Sequence, residues 1–156
     1  MRIKFVLNDR DMDLEVPTDQ RAVDLLREQM QLTGTKECCG SGECGGCTIL
    51  VDGQSRLSCL MLSGQLNGRR ITTVEGLAQD GEMHPVQKAF VEYGAVQCGY
   101  CTPGMILTAV DLLSTNPNPT RREIREGISG NICRCTGYQK IVDAIVAVAG
   151  FEKMKP

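Results

Sequence analysis

Apolar residues alternate near the amino terminus but recur every third or fourth position beyond residue 82, and this change of period divides the chain. Residues 3–7 and 12–16 are predicted as two short strands around the turn Asn8-Asp9-Arg10-Asp11. Residues 22–30 read as a helix with Val23, Leu26 and Met30 on one side and Thr18 or Asp19 available to cap it. The β-branched run 48–51 predicts a strand, Asp52-Gly53 a hairpin turn, and the return leg runs towards Cys59. A further strand at 70–73 completes a small sheet packed on the helix. The polar, glycine-bearing stretch 78–82 is where we expect one unit, 1–77, to give way to a second, 78–156.

The second unit reads as four helices. Pro85 after His84 starts one, because proline's missing donor costs nothing in the first turn. Thr102-Pro103 starts another, running through Met105, Ile106, Ala109, Leu112 and Leu113. Thr120-Arg121-Arg122-Glu123 is a capping box that opens the third. Residues 138–148 form the fourth, with Ile141, Ile145 and Val148 on one stripe. The expected fold class is α+β, a strand-rich part followed by a four-helix part.

Composition narrows the function. The 156 residues are 42% hydrophobic, enough for one domain or two small ones. With 17 basic against 19 acidic residues and no basic stripe, nucleic acid is a poor candidate partner. The amino-terminal segment breaks into charge too early for a secretory signal, and no later apolar run is long enough to span a membrane. Nine cysteines change the picture most. An odd count with no visible signal argues against a disulfide scaffold and for reduced, metal-ligating thiols in the cytoplasm.

The stretch Cys38-Cys39-Gly40-Ser41-Gly42-Glu43-Cys44-Gly45-Gly46-Cys47 packs four cysteines and four glycines into ten residues. Its three-glycine spacing, Gly40-x-Gly42-x-x-Gly45, is that of a dinucleotide loop, but such a loop follows a strand and opens a helix, whereas here a helix precedes and a strand follows. Cys39, Cys44 and Cys47 make C-x4-C-x2-C, with Cys59 farther on, which is the plant-type [2Fe–2S] spacing. Glycines let the backbone wrap closely and aim its amides at cluster and cysteine sulfur. Zinc fits less well, because the paired knuckles usual for a tetrahedral ion are missing. Cys38 reads as an adjacent free thiol.

Cys98-Gly99-Tyr100-Cys101 and Cys133-Arg134-Cys135 supply four more thiols. Spacing alone leaves open a second [2Fe–2S] cluster or a zinc site; a thioredoxin-like pair fits poorly, because the usual strand does not precede it. A Rieske centre needs two histidines, and His84 is the chain's single one, read as a helix-start residue. Glu37 and Glu43 beside the first set, and Arg134 beside the second, read as solvated loop charges.

Three motifs in order, CGSGECGGCTILVDG with Cys59, QCGYCTPGM from Gln97 and GNICRCTGY from Gly130, resemble the iron–sulfur subunit of the molybdenum hydroxylases, the xanthine oxidase and carbon monoxide dehydrogenase superfamily. The resemblance covers nearly the whole chain. It implies a plant-type ferredoxin-like (β-grasp) domain holding one [2Fe–2S] cluster through Cys39, Cys44, Cys47 and Cys59. It implies a four-helix domain holding a second through Cys98, Cys101, Cys133 and Cys135. Gln97 matches the glutamine that hydrogen-bonds the pterin, and Cys135 the ligand cysteine nearest it. The implied partners are a large molybdopterin-binding subunit and an FAD-binding medium subunit. The departure is Cys38, where the family commonly has glycine or another small residue.

On this reading the chain contributes no substrate chemistry. It has no nucleophile–base constellation and no tryptophan to stack on a flavin, so it is expected to act as a wire between two partners. A free-standing ferredoxin leaves the second cysteine set unexplained, and a structural zinc-binding interaction module would be colourless when purified.

Overall fold

The computed structural model describes residues 1–150; the last six residues of the expected second unit, 151–156, lie outside the described residues. The first two strands, β1 (Arg2–Leu7) and β2 (Arg10–Glu15), pair antiparallel with Leu7 opposite Arg10. Asn8 and Asp9, both at positive φ (48° and 62°), form the two-residue turn whose twist suits a hairpin. The sheet is completed by β3 (Thr48–Val51), β4 (Gln54–Leu57) and β5 (Arg70–Thr72) in the order β2-β1-β5-β3-β4. Only the central β1–β5 pair is parallel. Ile3, Phe5 and Leu7 alternate inward as the pattern requires, while Arg2 and Lys4 face out.

A short helix, α1, starts at Ala22–Asp24 and widens into a π-turn over Leu25–Gln29. Val23 and Leu26 are fully buried, and Met30 packs partly against the strand-side core. Neither Thr18 nor Asp19 caps it. Arg21 holds the cap position but its side chain makes no capping bond, and the Ala22 amide donates to the Met61 carbonyl at 2.8 Å, so the neighbouring segment does the work of a cap.

Four helices follow: α2 (Pro85–Glu92), α3 (Thr102–Thr115), α4 (Arg121–Gly127) and α5 (Gln139–Val148). The expected capping box at Thr120 is present, with Glu123 answering the Thr120 amide at 2.7 Å. Ile141, Ile145 and Val148 of α5 are buried, as are Ile106, Ala109 and Leu113 of α3. The segment 78–82 makes a tight turn in which Gln79 and Glu82 exchange backbone bonds at 3.1 and 2.8 Å.

The strand-side core and the helical core meet at β3. Ile49 belongs to the first and Leu50 to the second, which explains why 48–51 reads as a continuous apolar run instead of an alternating one. Asp111 of α3 fastens β4, its Oδ2 accepting from the Ser55 amide at 2.8 Å and the Ser55 hydroxyl at 2.6 Å.

His84 caps α2. Its Nδ1 accepts from the Val86 amide at 3.2 Å, while its own amide donates to Gln87 Oε1 at 2.9 Å. Accepting at Nδ1 requires the neutral ring, and burial holds the pKa below its ordinary 6.5. The cap's contribution is therefore complete above that ordinary value and is lost as pH falls from it towards the folded-state value. His84→Asn keeps an acceptor without titrating. Between about pH 7.5 and about pH 5.5 the wild-type melting temperature should fall further than that of His84→Asn. Equal falls would remove His84 from the acid response.

Candidate metal centres

The first cysteine loop joins α1 to β3 and lies partly at the surface. Cys39 is exposed, Cys44 half-buried, Cys47 and Cys59 buried. Gly40, Gly42 and Gly45 take positive φ (63°, 85° and 71°), curling the backbone round so that amides face sulfur. The amides of Ser41 and Glu43 donate to Cys39 Sγ at 3.4 and 3.3 Å, and that of Gly46 to Cys44 Sγ at 3.5 Å. Gly46 itself has no positive φ, so its place here does not rest on conformational freedom. Cys59 sits in a 3₁₀ turn, Ser58–Leu60, whose Ser58 hydroxyl and amide both donate to the Cys47 carbonyl at 2.7 and 3.2 Å. That pair of bonds ties the fourth cysteine of the set to the third.

The electrostatics follow the geometry. The Ser41 amide, joined by the amide and thiol of Cys44 and the amide of Glu43, brings the Cys39 thiol down to about 6. Burial pushes Cys47 up to about 11. Cys38 is exposed beside Cys44, whose charge raises its pKa. Glu37 is held: Arg21 Nη1 reaches its Oε1 at 2.5 Å, and Arg21 also pairs with Asp24 at 2.8 Å. Glu43 is exposed, as expected.

The second set lies around the start of α3. Cys98 and Cys135 are exposed, Cys101 half-buried and Cys133 buried, with Gln97 and Arg134 exposed next to them. Cys101 occupies the cap position of α3, where the helix's positive end favours a thiolate, yet burial dominates and pushes its thiol up to about 12. Cys133 is also pushed up by burial, but the hydroxyl and amide of Thr136, then the Cys135 amide and Cys101, outweigh this and leave it below its ordinary value. The Thr136 amide donates to Cys133 Sγ at 3.4 Å, with Thr136 Oγ1 3.0 Å from the same sulfur. Because Oγ1 accepts from the Tyr138 amide at 3.2 Å, its own hydrogen is free for that sulfur. Tyr138 stands at a φ of 68°, a left-handed strain on the order of 1 kcal/mol, and its hydroxyl accepts from the Cys133 amide at 2.9 Å.

Within each set the thiols stand near enough to act on one another's charge: Cys39 and Cys44, Cys47 and Cys59, Cys98 and Cys135, and Cys101 with both Cys133 and Cys98, while Cys38 stands beside Cys44. No three His, Cys, Asp or Glu side chains among the described residues close on one point as a single ion would need. A binuclear cluster takes two sulfurs on each iron, whereas a structural zinc gathers all four ligands round one ion. Together with the amides aimed at sulfur, this donor set fits [2Fe–2S] clusters.

The two sets also touch. The Ile132 amide donates to the Cys44 carbonyl at 2.9 Å, one residue from Cys133. The Tyr100 hydroxyl bonds the Glu37 carbonyl, and Asn131 Nδ2 donates to the Gly45 carbonyl at 3.1 Å. Pattern and spacing connect none of Tyr100, Asn131, Thr136 and Tyr138 to a cysteine sulfur or to the other set. All four lie inside the three motifs, so proximity to cysteine was the signal that pointed at them.

Comparison with known proteins gives the same picture. Residues 73–146 match the family model of the [2Fe-2S] binding domain. The nicotinate dehydrogenase small FeS subunit of Eubacterium barkeri is 50% identical over 92% of this chain and 91% of its own length. The nicotine 6-hydroxylase small subunit of Paenarthrobacter nicotinovorans is 46% identical over 96% and 90%. Quinoline 2-oxidoreductase from Pseudomonas putida 86 superposes with a TM-score of 0.92 at 48% identity, covering 96% of this chain and 92% of that one. The aldehyde oxidoreductase of Desulfovibrio gigas gives 0.91 at 39% identity, over 96% of this chain but 17% of that much longer one.

Hydrogen bonds to a ligand sulfur stabilise added negative charge and raise a cluster's potential. Thr136→Val removes the hydroxyl and keeps the shape. It should lower the midpoint potential of the helical-side centre, on the order of tens of millivolts, and leave the other unchanged. A redox titration followed by EPR reads both; an unmoved midpoint would show that the hydroxyl does not act on that sulfur.

Proposed function

Because this chain belongs to the small iron–sulfur subunits of the molybdenum hydroxylases, we propose that its two cysteine sets each hold a [2Fe–2S] cluster and join two partner subunits. It is the electron-transfer subunit of a molybdopterin hydroxylase and carries no substrate chemistry of its own. Bound clusters of this kind take up and release one electron at a time. The observation that carries the ligand assignment is the gathering of eight cysteines into two sets of four, with backbone N–H groups donating to sulfur in each. Cys39, Cys44, Cys47 and Cys59 hold the first cluster; Cys98, Cys101, Cys133 and Cys135 hold the second. The division into units 1–77 and 78–156 belongs to the same proposal.

The surface around each set suits a partner. Val96, Tyr100, Ile132 and Tyr138 are large apolar or aromatic side chains left exposed around Cys98 and Cys135. A subunit covering them would exclude water from the exposed thiols and bring Gln97 within reach of a pterin, so this face is assigned to the large molybdopterin-binding subunit. Leu60 and Leu62 are exposed, Leu60 beside the first loop and close enough to Gly42 that a Cβ there would meet it at 2.6 Å. That patch is assigned to the FAD-binding medium subunit. Relatives of similar identity serve nicotinate, nicotine, caffeine and aldehyde enzymes, so substrate choice belongs to the large subunit. Among the described residues no helix is long and apolar enough to cross a membrane. Nine cysteines, eight of them proposed as reduced cluster ligands, support a cytoplasmic location.

Substitution separates the two sets. Cys44→Ala should abolish one EPR signal and about half the iron while leaving the other signal in place, and Cys135→Ala should do the reverse. Either variant retaining both signals at full intensity would overturn its ligand assignment. Loss of both signals from either one would show that the sets do not assemble independently.

A further inference from the structure

Asn131 is buried, with 5% of its surface exposed, in the segment that leads into Cys133. Both ends of its side chain are used. Oδ1 accepts from the Thr108 hydroxyl of α3 at 2.9 Å, and Nδ2 donates to the Gly45 carbonyl at 3.1 Å. Gly45 follows Cys44 directly, so one amide side chain spans the second set, α3 and the first loop. The next residue adds the bond from the Ile132 amide to the Cys44 carbonyl, at 2.9 Å.

The loops on either side of this amide approach closely. A Cβ on Gly45 would stand 2.5 Å from Asn131 Nδ2 and 2.5 Å from the Gly130 carbonyl, and one on Gly104 would stand 2.3 Å from the Gly45 carbonyl. The loops approach to backbone contact, and the Gly45 carbonyl gathers donors from Thr48 N at 3.2 Å, Thr48 Oγ1 at 2.7 Å and Asn131 Nδ2. The two Thr48 bonds are internal to the first loop and its strand. Asn131 supplies the one that reaches it from the second set.

From this geometry we infer that Asn131 is a positioning residue that fixes the separation and orientation of the two cysteine sets. The inference rests on the two-cluster reading above. The amide does not touch a thiol. It acts through the Gly45 carbonyl on one side and the Cys133 segment on the other, so its loss shifts one set against the other without removing a ligand. Such a shift matters because magnetic and electronic coupling between two centres falls steeply with distance and orientation.

The test is the magnetic splitting between the two reduced centres, read by low-temperature EPR on the complex purified with its partner subunits. Asn131→Ala and Asn131→Asp are compared with wild type; the second keeps the shape but removes the donor. Ser55→Ala is the control, because it cuts a hydroxyl bond to Asp111 elsewhere between the strand and helical sides. The splitting should narrow or vanish in both Asn131 variants at full spin count, and stay at the wild-type value in Ser55→Ala. Unchanged splitting in the Asn131 variants would overturn the inference. So would an equal change in the control, which makes the effect a general loosening, or loss of one centre's spins in both Asn131 variants, which makes Asn131 a builder of one site. A wild type that lacks two centres fails the functional reading instead, which keeps the two failures apart.

Discussion

The contact between the Gly45 carbonyl and the segment around Asn131 and Gly104 is the constraint from which most of this structure follows. A backbone-to-backbone approach this close needs glycine on both sides, and it needs α3 to begin beside the first loop. Once those are given, much else is settled. β3 must be apolar on both faces, because Leu50 meets the helices while Ile49 meets the sheet. The Cys133 segment must run past Cys44, and its amide at Ile132 finds its acceptor there.

Around that contact, each cysteine set solves the same problem. Gathered thiolates repel one another, and burial works against their charge, as the raised values of Cys47 and Cys101 show. Amide and hydroxyl donors answer part of this, at Cys39 and Cys44 from the glycine-rich loop and at Cys133 from Thr136. The remainder calls for positive charge at the centre of each set, which is what iron supplies. Exposure differs in a way that suits a relay: each set has buried thiols towards the protein and exposed ones towards the surface.

Much of this was legible in the sequence, and the reasons are local. The turn at Asp52-Gly53, the capping box at Thr120 and the proline at position 85 depend on a few neighbouring residues, so pattern alone places them; the first turn is two residues, Asn8-Asp9, and not the four expected, because β2 starts at Arg10 and ends at Glu15. The cysteine spacing was equally plain, because a tight loop can wrap a cluster in few ways. What stayed hidden depends on residues far apart in the chain. The cap of α1 comes from the Met61 carbonyl, beyond the reach of any reading of Thr18 or Asp19. Glu37 looked like solvated charge because its partner, Arg21, lies before the helix. Asn131 stood in a quoted motif, yet its role depends on Thr108 and Gly45, which no period or spacing connects to it.

The central claim is that the chain carries two one-electron centres of the same kind. It is tested most directly on the purified wild-type protein, by low-temperature EPR of the reduced form with iron, zinc and acid-labile sulfide counted on the same sample. Two distinct [2Fe–2S] signals with about four irons and about four sulfides per chain are predicted. One signal with about two irons and one zinc would contradict it, leaving the first loop as a ferredoxin site and making the helical part a structural metal module.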